Sequence, residues 1–247
     1  MADDTRAWKV YWWLERHLAP GVHYAQADFE QCLFRTVQVG DSWLDVGCGH
    51  SLLPPWRESQ ERELLSRPTL VAGLDPELVA LSAHRGITLR VCGEAGDLPF
   101  ADGTFDLVTA NMVVEHLSEP EVQFREVSRI LRPGGRLLIH TPNAEGYPTL
   151  AARLVPDAAR ALAARMLETR PADDRFSTYY RANTLATISA VAAQTNFAVE
   201  QFDLLRSTAV FWRIPPLAAL ELLFLRLLDS ARFARLRPNL ITVLRKR

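Results

Sequence analysis

Two glycines flank a cysteine at Gly47-Cys48-Gly49, directly after the short apolar run Ser42 to Val46. Glycine lets a backbone turn sharply and lets a ligand approach the main chain closely. Alone, such a pair serves a plain structural turn equally well. A second apolar run ends in Asp75, 30 residues after Asp45. An acid at the end of a second strand is placed to accept hydrogen bonds from a ribose diol. It is also placed to cap the helix that Pro76-Glu77 opens, and the two roles are compatible. A third run leads into GEAGDLPFADGTFDLV, Gly93 to Val108, whose acid could accept a bond from an adenine amino group. NMVVEHL (Asn111 to Leu117) follows the fourth run, and LRPGGRLLIHTPN (Leu131 to Asn143) surrounds the fifth.

Positioning these residues calls for short buried strands. Ser42–Val46, Thr69–Asp75, Ile87–Cys92, Phe105–Ala110 and Arg136–Thr141 are brief, rich in Val, Leu and Ile, and bounded by Gly, Pro and Asp. Helical stretches separate some of them, at Glu77–His84 and Glu119–Leu131. Strands alternating with helices predict a parallel sheet with right-handed crossovers. Ahead of it, Thr5 to Leu18 reads as a helix capped by Asp3, Asp4 or Thr5 and stopped by Pro20-Gly21. Its Trp8, Tyr11, Trp12 and Trp13 are expected mostly to pack on the body, or to line a pocket mouth. Phe29–Val37 reads as a second helix. After Pro142 the pattern changes. Thr149–Glu168 is Ala/Leu/Arg-rich and helical, Pro171–Tyr180 is polar and loop-like, and Thr184–Thr195 is helical. Phe197–Leu205 and Asn239–Lys246 read as strands, with an apolar helical insert, Pro216–Leu236, between them.

The chain has 247 residues and a net charge of −1, ample for a hydrophobic core and ordinary for a soluble globular protein. The balance hides an asymmetry. From Arg206 onward, nine basic residues face only Glu221 and Asp229, so this segment is +7 and the rest is −8. Such a split marks either a nucleic-acid or membrane surface, or solvated arginines on a structural subdomain. Three cysteines (Cys32, Cys48, Cys92) without CxxC or Cys/His clustering suggest a reduced cytoplasmic protein and no metal site. The acidic start MADDTR is not that of a signal peptide, and no uncharged apolar run reaches 18 residues.

The ordered blocks LDVGCG, LD, GEAxDLPFxDGTFDLV, EHL and RILRPGGRLL, over roughly residues 40 to 145, resemble class I S-adenosylmethionine-dependent methyltransferases. The resemblance is to the ubiquinone/menaquinone-biosynthesis-like, type 11 branch. It implies a doubly wound, Rossmann-like α/β fold with a seven-stranded sheet, mostly parallel, whose antiparallel last strand is inserted between two others. It also implies one domain over residues 1–247: a helical cap (1–38), a cofactor-binding core (39–145), substrate-side helices (146–196) and an apolar, basic insert (209–237). Gly47, Cys48 and Gly49 then form the loop beneath the methionine part of S-adenosylmethionine, with Asp45 near its amino group. Asp75 takes the ribose hydroxyls, Pro76 lies beside the adenine, and Glu94 and Ala95 contact the adenine edge. Asn111 and Met112 line the sulfonium, and Tyr24 touches the methionine carboxylate. Three departures stand out. Ser51 occupies a position where the family often has glycine, Glu94 replaces a commoner aspartate, and the segment Leu52–Pro68 is long and proline-containing where a short helix is usual.

Methyl transfer needs no acid to expel a neutral thioether, so proximity and orientation supply much of the rate. A base helps only when the acceptor must lose a proton. His116, after the fourth strand, is the candidate base, with loop fixation as the plainer reading. His140 and Tyr147 flank the fifth strand's exit, and His23, Tyr179 and Tyr180 lie in lid-like segments; for each a structural role is expected. A small-molecule, lipid-linked or sugar acceptor is expected, and nucleic acid is not, because no nucleic-acid motif accompanies the arginines. The insert, about residues 210–237, is apolar on several faces and arginine-rich, which suits a membrane surface, a lipid-like substrate or a second copy of the chain. Two rivals remain. An NAD-dependent oxidoreductase would want G-x-G-x-x-G, but Leu52 takes its last glycine position. A non-catalytic methyltransferase-like subunit would keep the same cofactor residues.

Overall fold

The computed structural model describes residues 2–22, 24–154 and 176–247. Its elements run α1 (Ala2–Leu18), α2 (Ala25–Thr36), β1 (Ser42–Val46), α3 (Glu58–Leu65), β2 (Leu70–Asp75), α4 (Leu78–Ala83), β3 (Leu89–Cys92), β4 (Phe105–Asn111), α5 (Pro120–Ile130), β5 (Leu131–Pro142), α6 (Tyr147–Leu154), α7 (Leu185–Gln194), β6 (Phe197–Leu205), α8 (Pro215–Leu227) and β7 (Asn239–Lys246). Short 3-10 turns lie at Pro55–Arg57, Val114–His116 and Ala231–Leu236.

One seven-stranded sheet has the order β3-β2-β1-β4-β5-β7-β6. The pairs β1–β2, β1–β4, β2–β3 and β4–β5 are all parallel, and antiparallel pairing enters with the last strands. The expected Rossmann-like α/β sheet, with β7 inserted between β5 and β6, is therefore present. All five residues of β1 are buried, as a strand covered on both faces requires. From β1 the chain steps outward to β2 and β3, then returns to place β4 on the other side of β1. That reversal makes the β1/β4 crevice a topological switch point, where open α/β sheets bind ligands.

The chain folds into two compact units. One comprises Phe29–Thr141, Thr178–Asp203 and Ile241–Arg247; the other comprises Met1–Asp28, Pro142–Ser177 and Leu204–Leu240. The first holds most of the sheet. Within it, Trp43 and Phe105 are fully buried, and Phe124 of α5 meets Phe197 edge-on. The described elements of the second are mainly helices. Tyr11 and Val22 pack with Ala218, Leu222, Leu225 and Leu228, and Trp8 stacks on Trp212 at 4.0 Å between ring centroids.

Several elements differ from their sequence reading. Helix α1 starts at Ala2, so Asp3 to Thr5 lie inside it. Only two of its four aromatics reach the core: Tyr11 is buried and Trp8 half-buried, whereas Trp12 and Trp13 are exposed and touch rings of their own helix. The long segment Leu52–Pro68 holds a 3-10 turn and α3, which is the crossover helix between β1 and β2. Its charged run hides the helix, since only Glu61 and Leu64 are buried. Strand β3 begins at Leu89 rather than Ile87. Strand β5 begins early at Leu131, because a register shift lets Leu131 pair with Phe105 ahead of the glycines. Of the predicted helix Thr149–Glu168, the described part belongs to α6; residues 155–168, Pro171 to Arg175 and His23 lie outside the described residues. The insert is helical only to Leu227 and continues as a turn and a 3-10 segment.

Candidate active site

The glycine loop leaves β1 with its backbone tied to β2. Gly47 N–H and Cys48 N–H both donate to the Leu74 carbonyl, at 2.7 and 3.2 Å. Gly47 has φ +70°, and a Cβ there would stand 2.3 Å from Cγ2 of Val113. Gly49 has φ +55°, with no atom within 4 Å of the place its Cβ would take. One glycine is thus required by close approach, and the other faces open space. The Cys48 side chain turns away into the sheet, where its sulfur would lie 2.7 Å from a Cβ on Gly73. Burial pushes its thiol up to about 12, so it is a small apolar filler rather than a nucleophile.

Asp75 is buried and holds the loop. Its Oδ2 accepts Gly49 N–H at 2.8 Å and its Oδ1 accepts Glu77 N–H at 2.9 Å. The bond to Glu77 closes a turn ahead of α4 and does not cap it, because the helix begins at Leu78 with Glu77 as its N-cap and no side-chain cap bond. A carboxylate offers about four acceptor sites, so roughly two remain for a ligand diol. Pro76 and Glu94 are exposed, and Ala95 is half-buried.

Asp45 is the terminal acceptor of a buried relay. Trp43 Nε1–H donates to Thr109 Oγ1 at 2.8 Å, and the Thr109 hydroxyl donates to Asp45 Oδ1. Burial raises the Asp45 carboxyl to about 7, against the opposing Thr109 bond, and the charge of Asp75 raises it further.

At the carboxyl end of β4, Met112 takes a left-handed backbone, φ +58°. Such a conformation costs a non-glycine residue on the order of 1 kcal/mol and persists where neighbours over-determine it. Here Met112 N–H donates to the His140 carbonyl at 2.8 Å, and His140 Nδ1–H donates to Asn111 Oδ1 at 2.8 Å. His140 stacks on Phe29, and burial lowers it to about 4, so it is a neutral brace.

His116 is partly exposed, with Nε2 3.8 Å from Glu115 Oε1. Glu115 is buried and fixed: Thr141 Oγ1–H donates to it at 2.8 Å, and Asn183 Nδ2–H donates to Thr141 at 2.7 Å. The Glu115 carbonyl accepts Tyr179 N–H and Tyr180 N–H. The segment around Tyr179 and Tyr180 is thereby held by the turn that carries His116. Tyr147 belongs to the helical unit, where its hydroxyl donates to Glu221. Tyr24 belongs to the same unit and is exposed, just ahead of α2.

Three positioning groups carry no signal in the sequence on their own: Thr109, the Thr141–Asn183 pair that holds Glu115, and Arg129. Arg129 of α5 donates to the carbonyls of Leu98 and Phe100 and to Asp102 and Glu126, at 2.8–2.9 Å. It pins the DLPFADG loop that follows Glu94 and Ala95. Its place inside RILRPGG is the one pattern that could have pointed to it.

A family model described as a methyltransferase domain matches residues 44–139, which span β1 to most of β5. Demethylmenaquinone methyltransferase of Corynebacterium kroppenstedtii is 39% identical over 79 residues, 31% of this chain and 34% of that one. Malonyl-[acyl-carrier protein] O-methyltransferase of Erwinia billingiae is 30% identical over 130 residues, 51% of this chain and 49% of that one. The chain thus spans between a third and a half of the length of these curated relatives. Among solved structures, the complex of the Haloferax volcanii Trm112 methyltransferase activator with a putative methyltransferase aligns with TM-score 0.59 at 18% identity, covering 87% of each chain. That likeness is one of fold.

Proposed function

We propose that this chain, whose residues 44–139 match a methyltransferase-domain family model, is a class I S-adenosylmethionine-dependent methyltransferase of the type 11 branch that binds S-adenosylmethionine at the β1/β4 crevice and methylates a small acceptor. The single observation that carries this reading is the convergence at one edge. The Gly47–Gly49 loop, Asp75 and the Asn111–Met112 turn all leave the carboxyl ends of the adjacent strands β1, β2 and β4. The residues suit the cofactor. Open space at Gly49 leaves room for a ligand against the main chain, Asp75 keeps acceptor sites for a diol, and Asp45 lies beneath the loop as a partner for an ammonium group. Asn111 and Met112 would line the reacting end, and Pro76, Glu94 and Ala95 the adenine.

Bound S-adenosylmethionine supplies a methyl group on a sulfonium, activated without help from the protein. The work left to the chain is orientation and exclusion of water. The His140–Asn111 brace fixes the backbone of Met112, and the Glu115–Thr141–Asn183 chain fixes the turn carrying His116. His116 serves as a base when the acceptor is a hydroxyl or a protonated amine. Quinone-like acceptors and acyl-carrier-bound carboxylates, the classes named in the two relatives, are the first to assay, with sugars and other lipid-linked molecules next.

The test is a methyl-transfer assay with labelled S-adenosylmethionine over a metabolite and lipid extract. The expected result is a labelled product whose formation His116→Gln slows while cofactor affinity stays within about twofold. Cofactor binding with no product in any fraction would favour a non-catalytic subunit instead. Equal turnover by His116→Gln would remove the histidine from the chemistry.

A further inference from the structure

Helix α8 carries two apolar stripes. Ala218, Leu222, Leu225 and Leu228 are buried in the core of the helical unit. Leu217, Leu220, Leu223 and Leu227, at helical spacing on another face, are 41, 66, 46 and 58% exposed. Past the helix, Phe233 is 40% exposed, and with Leu220, Leu223, Phe224 and Leu227 it lines an open apolar groove that also contains Arg226. An exposed apolar surface of this kind marks an interaction site.

The arginines of this segment divide into two sets. Within the same unit Arg206 pairs with Asp229, Arg235 pairs with Glu145, and Arg237 donates to the carbonyls of Leu204 and Leu228. Arg226 and Arg232 are exposed and have no acidic partner among the described residues. Of the two acids after Arg206, Glu221 is buried and Asp229 is already paired. Helix α1 packs against α8 and leaves Trp12 and Trp13 exposed, on a helix that also exposes Lys9 and Arg16.

We infer that this face of α8 docks the protein on an anionic lipid bilayer. Leucines and a phenylalanine enter the headgroup boundary, the exposed Arg226 and Arg232 meet lipid phosphate, and tryptophans favour that depth. No described helix is long and apolar enough to cross a membrane, so α8 lies in the plane of the interface. Charge decides between this occupant and a second copy of the chain. A two-fold contact would set the same exposed arginines against each other, whereas anionic lipid neutralises them. The inference concerns the helical unit alone and does not depend on methyl transfer.

The test is co-sedimentation of the full chain with phosphatidylcholine vesicles, with and without phosphatidylglycerol, alongside analytical ultracentrifugation. The expected result is binding that needs phosphatidylglycerol and weakens in high salt. Arg226→Ala/Arg232→Ala should lose about thirtyfold in affinity, from roughly 1 kcal/mol per arginine near the surface. Leu220→Glu/Leu227→Glu should lose at least about tenfold. Both pairs are exposed, and matching thermal melts by circular dichroism establish that the variants fold. Equal vesicle binding by folded variants, or wild-type pelleting no greater than with neutral vesicles, overturns the inference. So does a dimer that Leu220→Glu/Leu227→Glu dissociates while vesicles leave the chain in the supernatant.

Discussion

Asp45 and His140 are the two buried titratable groups whose environments make readable predictions. Burial raises Asp45 to about 7, so near neutrality it is partly protonated. An ammonium group brought beside it favours the carboxylate and expels that proton. Affinity for S-adenosylmethionine should therefore rise with pH, by up to about tenfold per unit below about pH 7, and level off above. Calorimetry across this range checks it, with Asp45→Asn expected to bind weakly and without that slope; a flat wild-type profile would separate Asp45 from the ligand. His140 has the opposite linkage. Its imidazole is held at about 4 in the folded chain, against 6.5 when free. Below 6.5 the unfolded state binds the extra proton, so stability falls as pH drops toward 4, by up to about 3 kcal/mol. Asp45 contributes with the other sign over part of that window, so the comparison that isolates His140 is urea unfolding of wild type beside His140→Phe. The variant should lose less stability on acidification, and parallel losses would show that the histidine is already protonated when folded.

The glycine loop is best understood as an element, because its shape depends on a residue of the β4 turn. A Cβ at Gly47 meets Val113, and its φ of +70° is costly for any other residue. Gly47→Ala should destabilise the protein by about 2–3 kcal/mol and weaken cofactor binding. Adding Val113→Ala should restore the part due to the clash but not the part due to the backbone. Thermal melts and ligand titration of the three variants check this; full restoration, or none, would mean that the contact does not set the loop. The same element shows what a sequence reveals and what it hides. The Gly47-Cys48-Gly49 turn, Asp75 at the end of β2 and the His116 turn after β4 are legible, because strand ends carry short-range signals. That Asp75 holds the loop through Gly49 is not, because the bond spans 26 positions and arises only when β1 pairs with β2. Helix α3 escapes notice because it is charged on most sides and buries only Glu61 and Leu64. The early start of β5 escapes because Pro133-Gly134-Gly135 reads as a turn, whereas the strand absorbs it with a register shift.

At the scale of the whole molecule, the parallel core follows from alternating short apolar runs and helices, and the insertion of β7 between β5 and β6 from the family resemblance, but the division into two units follows from neither. Both units are assembled from stretches distant in sequence, which no local pattern brings together. The helical unit turns on one buried acid. Glu221 accepts Val210 N–H at 2.8 Å, Phe211 N–H at 2.9 Å and the Tyr147 hydroxyl. Glu221→Ala strands three donors and should cost about 3 kcal/mol. Hydrogen exchange should show the loss first at the amides of Val210 and Phe211, and unchanged protection there would mean that they are held otherwise. The +7 segment, which could have signalled nucleic acid, holds structural arginines, ion-paired ones, and the exposed Arg226 and Arg232 beside exposed leucines. The −8 remainder contains the acids of the ligand edge. Whether that edge is a methyl-donor site is asked most directly by calorimetric titration of the full chain with S-adenosylmethionine and, separately, with NAD. Saturable binding of S-adenosylmethionine alone, weakened about a hundredfold by Asp75→Ala through two lost charge-assisted bonds, is the predicted result. Binding of NAD without S-adenosylmethionine, or unchanged affinity in Asp75→Ala, would contradict it.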